Sequence, residues 1–177
     1  MPVDHTNLYS SNLYRTSYGF LPQRKARMVV FDLDGTICDI EHRLHYIQRE
    51  KKDWDTFHAL HTYDLPRIDV VEKFDQHLKT EEIIAFFTGR PYKHWETTTG
   101  WLKKHLPNAF FPTSIALILE MRSDTDRRPD TEVKADMLSK YANGYDIIKI
   151  YEDRPSVIRM YREKGFEVED VGNGVEF

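Results

Sequence analysis

The stretch Met28-Val29-Val30-Phe31-Asp32-Leu33-Asp34-Gly35-Thr36 runs four apolar residues straight into two acids, a glycine and a hydroxyl. An apolar run without polar alternation suits a strand buried on both faces of a parallel sheet. The pattern recurs. Residues 83–87 form a second run ending in Thr88-Gly89-Arg90, and residues 115–119 form a third. Residues 147–151 form a fourth ending in Glu152-Asp153-Arg154-Pro155, and residues 166–171 form a weaker fifth. Between the runs lie helical stripes at residues 70–78, 91–106, 131–141 and 155–164, the last opened by Pro155 and closed before Gly165. Strands alternating with helices predict an α/β fold, an open parallel sheet with helices on both faces.

Residues 37–69 interrupt this alternation. Rich in His, Tyr, Trp and charge, they read as a small, mainly helical insert after the first strand. Residues 1–27 read as an N-terminal extension ahead of a domain spanning 28–177. The extension holds four basic groups and one acid, a charge of +3, which leaves -7 for the remainder of a chain whose net charge is -4. That balance disfavours a broad, non-specific nucleic-acid binder without excluding a local basic groove. The single cysteine, Cys38, excludes an internal disulfide framework and points to the cytoplasm. No apolar run approaches the ~20 residues of a membrane span, so no membrane partner is expected.

In open α/β sheets ligands bind outside the carboxyl ends of the strands. Here three strand ends supply Asp32 and Asp34, then Thr88 and Arg90, then Glu152 and Asp153. The spacing of Asp32 and Asp34 predicts that both carboxylates share one side of an extended chain. Carboxylates that close require a cation or a shared proton. Hard oxygen ligands with room for water and phosphate suit Mg²⁺. A Walker B strand also ends in Asp, but no glycine of this chain is followed by Lys, so a Walker A partner is missing.

Phe31-Asp32-Leu33-Asp34-Gly35-Thr36 resembles motif I of the haloacid dehalogenase superfamily. Thr88-Gly89-Arg90 matches motif II, Lys134 motif III and Glu152-Asp153 motif IV, in the same order. A narrower resemblance covers residues 28–177, to the 3′-phosphatase domain of phage polynucleotide kinase-phosphatases. Arg43 stands eleven residues after Asp32, Arg122 twelve before Lys134 and Asp130 four before it, as in that domain. Two departures stand out. Motif IV begins with Glu152 where the family has Asp, and no kinase domain accompanies the motifs, so the partner chemistry is expected from a separate kinase or ligase chain or not at all.

The resemblance implies removal of a phosphate from a 3′-phosphorylated DNA or RNA end, or from a nucleotide, through a phosphorylated aspartate. Asp32 is implied as nucleophile, Asp34 as acid and then base, and Thr88 and Lys134 as groups on the transferring phosphoryl oxygens. Arg43, Arg90 and Arg122 are implied to clamp the phosphate. Asp130 either orients an arginine or caps the helix at Thr131. Mg²⁺ is implied as cofactor, on Asp32, the Asp34 carbonyl and Asp153, with Glu152 fixing these ligands. A small-molecule phosphatase and a non-catalytic module for phosphorylated ends are the competing readings. The histidine pairs 42/45 and 58/61 have helical spacing but no accompanying zinc pattern, and read as insert surface or core. Trp54, Tyr63, Tyr92 and Trp95 suit either the core or a platform for a base.

Overall fold

The computed structural model describes residues 24–80, 83–110 and 116–176. Residues 1–23, nearly all of the expected extension, lie outside the described residues, as does Ile115 of the third apolar run. In chain order, besides single 3-10 turns, the elements are β1 (Ala26–Phe31), β2 (Cys38–Asp39), α1 (Glu41–Leu44), α2 (Trp54–Ala59), β3 (Leu65–Pro66), α3 (Ile68–Leu78), β4 (Ile83–Pro91), α4 (Trp95–His105), β5 (Leu117–Arg122), α5 (Asp130–Ala142), β6 (Tyr145–Glu152), α6 (Pro155–Glu163) and β7 (Val168–Asp170). Five strands form one parallel sheet in the order β5-β4-β1-β6-β7.

The unalternating runs are explained by a core on each face. Val29, Phe31, Ile84 and Phe86 pack with Phe74 of α3 and with Trp101 and Leu102 of α4. Their neighbours Met28, Val30, Ala85, Phe87 and Ile150 pack with Val133, Met137 and Leu138 of α5 and with Val157, Ile158 and Tyr161 of α6. Successive strand residues point to opposite faces, so two covered faces demand an apolar residue at every position. Phe74 sits at the centre of one core, fully buried, with ring centroids 5.7 Å from Phe31 and 5.8 Å from Phe86. Phe74→Ala is expected to lower the unfolding free energy by about 3–5 kcal/mol, read from urea denaturation, because the sheet above it cannot collapse into the void.

β1 is the switch point: the chain leaves it towards β4 and β5, then returns to its other side for β6 and β7. A crevice at the carboxyl end of β1 follows from that order. Two boundaries differ from the sequence reading. β5 ends at Arg122, three residues beyond the apolar run, because pairing with β4 sets Glu120 against Phe87 and Arg122 against Pro91. β4 likewise continues to Pro91, so its following helix opens at Trp95.

The insert is mainly helical, but it is closed at its base by a hairpin that the sequence did not announce. Cys38 pairs with Pro66 and Asp39 with Leu65. Two-residue strands are too short to show alternation. No helix among the described residues is long and apolar enough to cross a membrane.

Candidate active site

Motif I leaves β1 in a tight turn. The amides of Thr36, Ile37 and Cys38 all donate to the Leu33 carbonyl, and Leu33 and Ile37 drop into the core. Gly35 adopts φ +85°, and a Cβ there would lie 2.0 Å from Oδ2 of Asp153. Only glycine permits both that backbone and that approach. The guanidinium of Arg67 secures the turn by donating to the carbonyls of Gly35 at 2.6 Å and Val171 at 2.8 Å.

The turn separates the two motif I acids. Both line one cavity of about 590 Å³, but their carboxylates belong to different clusters. Both acids nevertheless face that one cavity, and the Asp34 charge raises the Asp32 carboxyl, although β1 ends at Phe31 and the strand does not continue through Asp34.

The first cluster is Asp32, Glu152 and Asp153, with carboxylate oxygens within 4.8 Å of one another. Lys134 Nζ reaches Asp32 and Glu152 at 2.7 Å each, and Asp130 at 3.3 Å. Glu152 is fully engaged: Oε2 accepts from Lys134, and Oε1 accepts from the amides of Asp153 at 3.2 Å and Arg154 at 3.1 Å. Among the described residues the Asp153 carboxylate accepts one bond, from the Thr36 hydroxyl at 3.2 Å. Burial pushes Asp32 up to about 8, against the pull of Lys134, and pushes Glu152 and Asp153 up to about 7. Burial also opposes the charge on Lys134, but Asp130, Asp32 and Glu152 outweigh it and hold the ammonium well above its usual range. Three buried carboxylates against one lysine leave an excess of negative charge, and two of them have oxygens to spare. That donor set fits a hard divalent cation.

The second cluster surrounds Asp34. Its Oδ1 accepts from Arg43 Nη2 at 2.5 Å, from Arg90 Nε at 2.9 Å and from Arg90 Nη2. Both arginines are 0% exposed and do not line the cavity. Burial alone would raise the Asp34 carboxyl, but Arg43 and Arg90 hold it well below the usual carboxylate range. Asp64 closes the cluster from the insert. It accepts from Arg43 Nε at 2.7 Å and Nη2 at 2.5 Å, from Arg90 Nη2 at 3.3 Å, and bonds His42 at 2.9 Å. Neither Asp64 nor Arg67 stood out in the sequence, since a lone acid or base in a charged insert has no spacing signal.

Arg122 lies on the cavity wall. It donates to the carbonyls of Gly89 at 3.0 Å and Arg128 at 2.7 Å, and to Asp130 Oδ1 at 3.0 Å. Asp130 is the first residue of α5 and makes no capping bond; it pairs with Arg122, Lys134 and Arg154 instead. Of its two expected roles, orienting an arginine is the one present. Thr88 is buried, and its Oγ1 accepts from the Arg90 amide at 3.2 Å.

His42 and His45 are exposed on the insert and His61 is buried in it, as expected, whereas His58 lines the cavity. His61 is buried, with Nδ1 on the His58 carbonyl, and burial lowers it to about 4 from 6.5. The unfolded chain therefore binds a proton near pH 6.5 that the folded chain refuses until near pH 4. Stability conferred by the neutral ring is complete above pH 6.5 and is lost as pH falls towards 4, at about 1.4 kcal/mol per pH unit across that window. His61→Asn is expected to flatten the fall in unfolding free energy between pH 7 and 4.5. The difference between the two curves isolates His61 from Asp32, Glu152 and Asp153, whose raised values act in the opposite sense. Trp54, Tyr63, Tyr92 and Trp95 are not core residues: all four are exposed.

Residues 26–175 match the family described as the polynucleotide kinase PNKP phosphatase domain. No curated protein matches the chain. Among solved structures, a chain of the Pnkp1/Rnl/Hen1 RNA repair complex superposes with TM-score 0.68 at 23% identity, over 92% of this chain and 48% of that one. A chain of a second Pnkp1/Rnl/Hen1 complex gives 0.68 at 21%, over 94% and 53%. This chain thus spans about half the length of those relatives. A haloacid dehalogenase-like hydrolase from Streptococcus pneumoniae matches over nearly its whole length, with TM-score 0.54 at 15% identity, over 84% of this chain and 87% of that one. At these identities the likeness is one of fold. With four motifs gathered at one sheet edge and a family match that runs almost from end to end, the chain belongs to the polynucleotide kinase phosphatase-domain family of haloacid dehalogenase phosphatases.

Proposed function

We propose that this domain removes the 3′-phosphate from polynucleotide ends by two displacements at Asp32. The observation that supports this best is the placement of Asp32, buried, bonded to Lys134 and facing an open cavity that also carries Arg122 and Asp130. In the first displacement an Asp32 oxygen forms a bond to phosphorus and the bond to the 3′ oxygen breaks. The leaving oxygen takes its proton from Asp34. In the second, Asp34 takes a proton from water, whose oxygen attacks phosphorus and frees inorganic phosphate and Asp32. Arg43 and Arg90 fix the Asp34 carboxylate and keep it ionised in the free site, the state required of a base. A bound phosphate dianion raises it towards the state required of an acid. Lys134 orients Asp32 and meets the phosphoryl oxygens, and Arg122 grips the phosphate as a planar fork.

Asp32, Asp153 and the Asp34 carbonyl would hold Mg²⁺ at the first cluster, where Glu152 is bound to Lys134 and the backbone. Its charge would shield the phosphate from the attacking carboxylate. The likeness to a chain of an RNA repair complex supports a partner chain that supplies kinase or ligase chemistry. The lone cysteine supports a cytoplasmic setting.

Three substrates with Mg²⁺ test the proposal: a 3′-phosphorylated oligonucleotide, a 3′-mononucleotide and a 5′-mononucleotide. The oligonucleotide is expected to show the highest kcat/KM. Preference for the 5′-mononucleotide would sink the polynucleotide reading.

A further inference from the structure

Besides the acids, the cavity is lined by Trp54 and Asp55 of α2, by Lys93 of the turn after β4 and by Arg127 of the loop after β5. Its arginines are not equivalent. Arg122 and Arg154 pair with Asp130, and Arg128 pairs with Asp126 and Asp136. Arg127, exposed, makes no hydrogen bond or ion pair to any described residue. The carboxylate that feels its charge, Asp55, is bonded to Lys93 at 2.9 Å and is held below its usual range by that bond first. Beside Asp55, the indole of Trp54 is 39% exposed. Phe57 meets it edge-on at 5.8 Å and His58 stacks at 5.9 Å, so the ring is braced from within the insert. The exposed Lys52 ammonium lies 5.5 Å from the ring centroid and is free to yield to a base.

A braced, exposed indole and a guanidinium without a hydrogen bond or ion pair among the described residues thus line the same cavity. Aromatic rings exposed in this way stack on bases with little regard to sequence, and an unpaired arginine fork matches a phosphodiester. We propose that Trp54 and Arg127 form a second subsite, in which Trp54 stacks on the base of the terminal nucleotide and Arg127 receives the phosphodiester before it. The subsite rests on the polynucleotide reading above and gives it a physical basis: a mononucleotide engages Trp54 alone, whereas an oligonucleotide engages both.

Kinetics of the full chain with Mg²⁺ test this, using a 3′-phosphorylated oligonucleotide, the same oligonucleotide with an abasic terminal position, and a 3′-mononucleotide. Arg127→Gln is expected to lower the ratio of kcat/KM for oligonucleotide over mononucleotide about tenfold, through KM. Trp54→Leu is expected to lower the ratio for base-bearing over abasic-ended oligonucleotide about tenfold. Ratios are unaffected by a fraction of unfolded enzyme. The slope of log kcat/KM against log salt should also become shallower by about 0.7 in Arg127→Gln, the share of one single-strand phosphate. Turnover of the oligonucleotide with both ratios unchanged overturns the subsite and leaves the activity standing. A wild-type chain that hydrolyses mononucleotides but not the oligonucleotide overturns both.

Discussion

Asp32→Asn is expected to lower kcat on a 3′-phosphorylated oligonucleotide by about 10⁴-fold or more, the scale on which enzymes lose activity when a nucleophile is removed. The amide keeps the shape of the side chain but offers no anionic oxygen to phosphorus. The fold should survive, because the substitution removes one of three crowded carboxylates and Lys134 retains Glu152 at 2.7 Å and Asp130 at 3.3 Å. Acid-quenched wild-type enzyme should carry covalent phosphate and the variant none. Full activity in the variant would overturn the assignment of the nucleophile.

Asp64→Asn is expected to lower the unfolding free energy by about 3–5 kcal/mol and to cut kcat more than tenfold in the protein that remains folded. Arg43, Arg90, Asp34 and Asp64 form a buried set with two positive and two negative charges. Neutralising Asp64 leaves one uncompensated positive charge where the arginines are 0% exposed. The arginines then lose the partner that aims them at Asp34, 21 residues from Arg43 and 26 from Arg90 along the chain. Adding Arg43→Met to the variant restores the charge balance, so part of the stability should return without the activity. Denaturant unfolding and kcat, measured on both variants, check the two effects separately. A stable, fully active Asp64→Asn would show that the buried quartet neither supports the fold nor positions Asp34.

Much of the site was legible in local patterns. The apolar runs announced buried strands, and the polar residues that end them could only collect at the carboxyl edge. Lys134 and Asp130 lie one helical turn apart on α5, so their pairing follows from periodicity. The roles of Arg43 and Arg90 were less legible. Both read as forks on the phosphate, and both are buried against Asp34. Asp64 and the hairpin of Cys38–Asp39 with Leu65–Pro66 left no pattern at all. The four exposed aromatics were open to two readings because composition does not say which side of a short helix meets the core.

The sequence by itself determined the order of strands and helices, the two-faced burial of the sheet and the edge at which the acids gather. Those depend on side-chain period and on the ends of strands, which are properties of neighbouring residues. Only the tertiary structure decided which charges meet. Asp34 is 9 residues from Arg43 and 56 from Arg90, while Asp32 and Lys134 come from the end of β1 and from α5, far apart in the chain. Pairing over such distances is set by strand order and by the insert's fold. In a buried site every charge must find an opposite or a cation, and the compact structure, not the local pattern, chooses the partner.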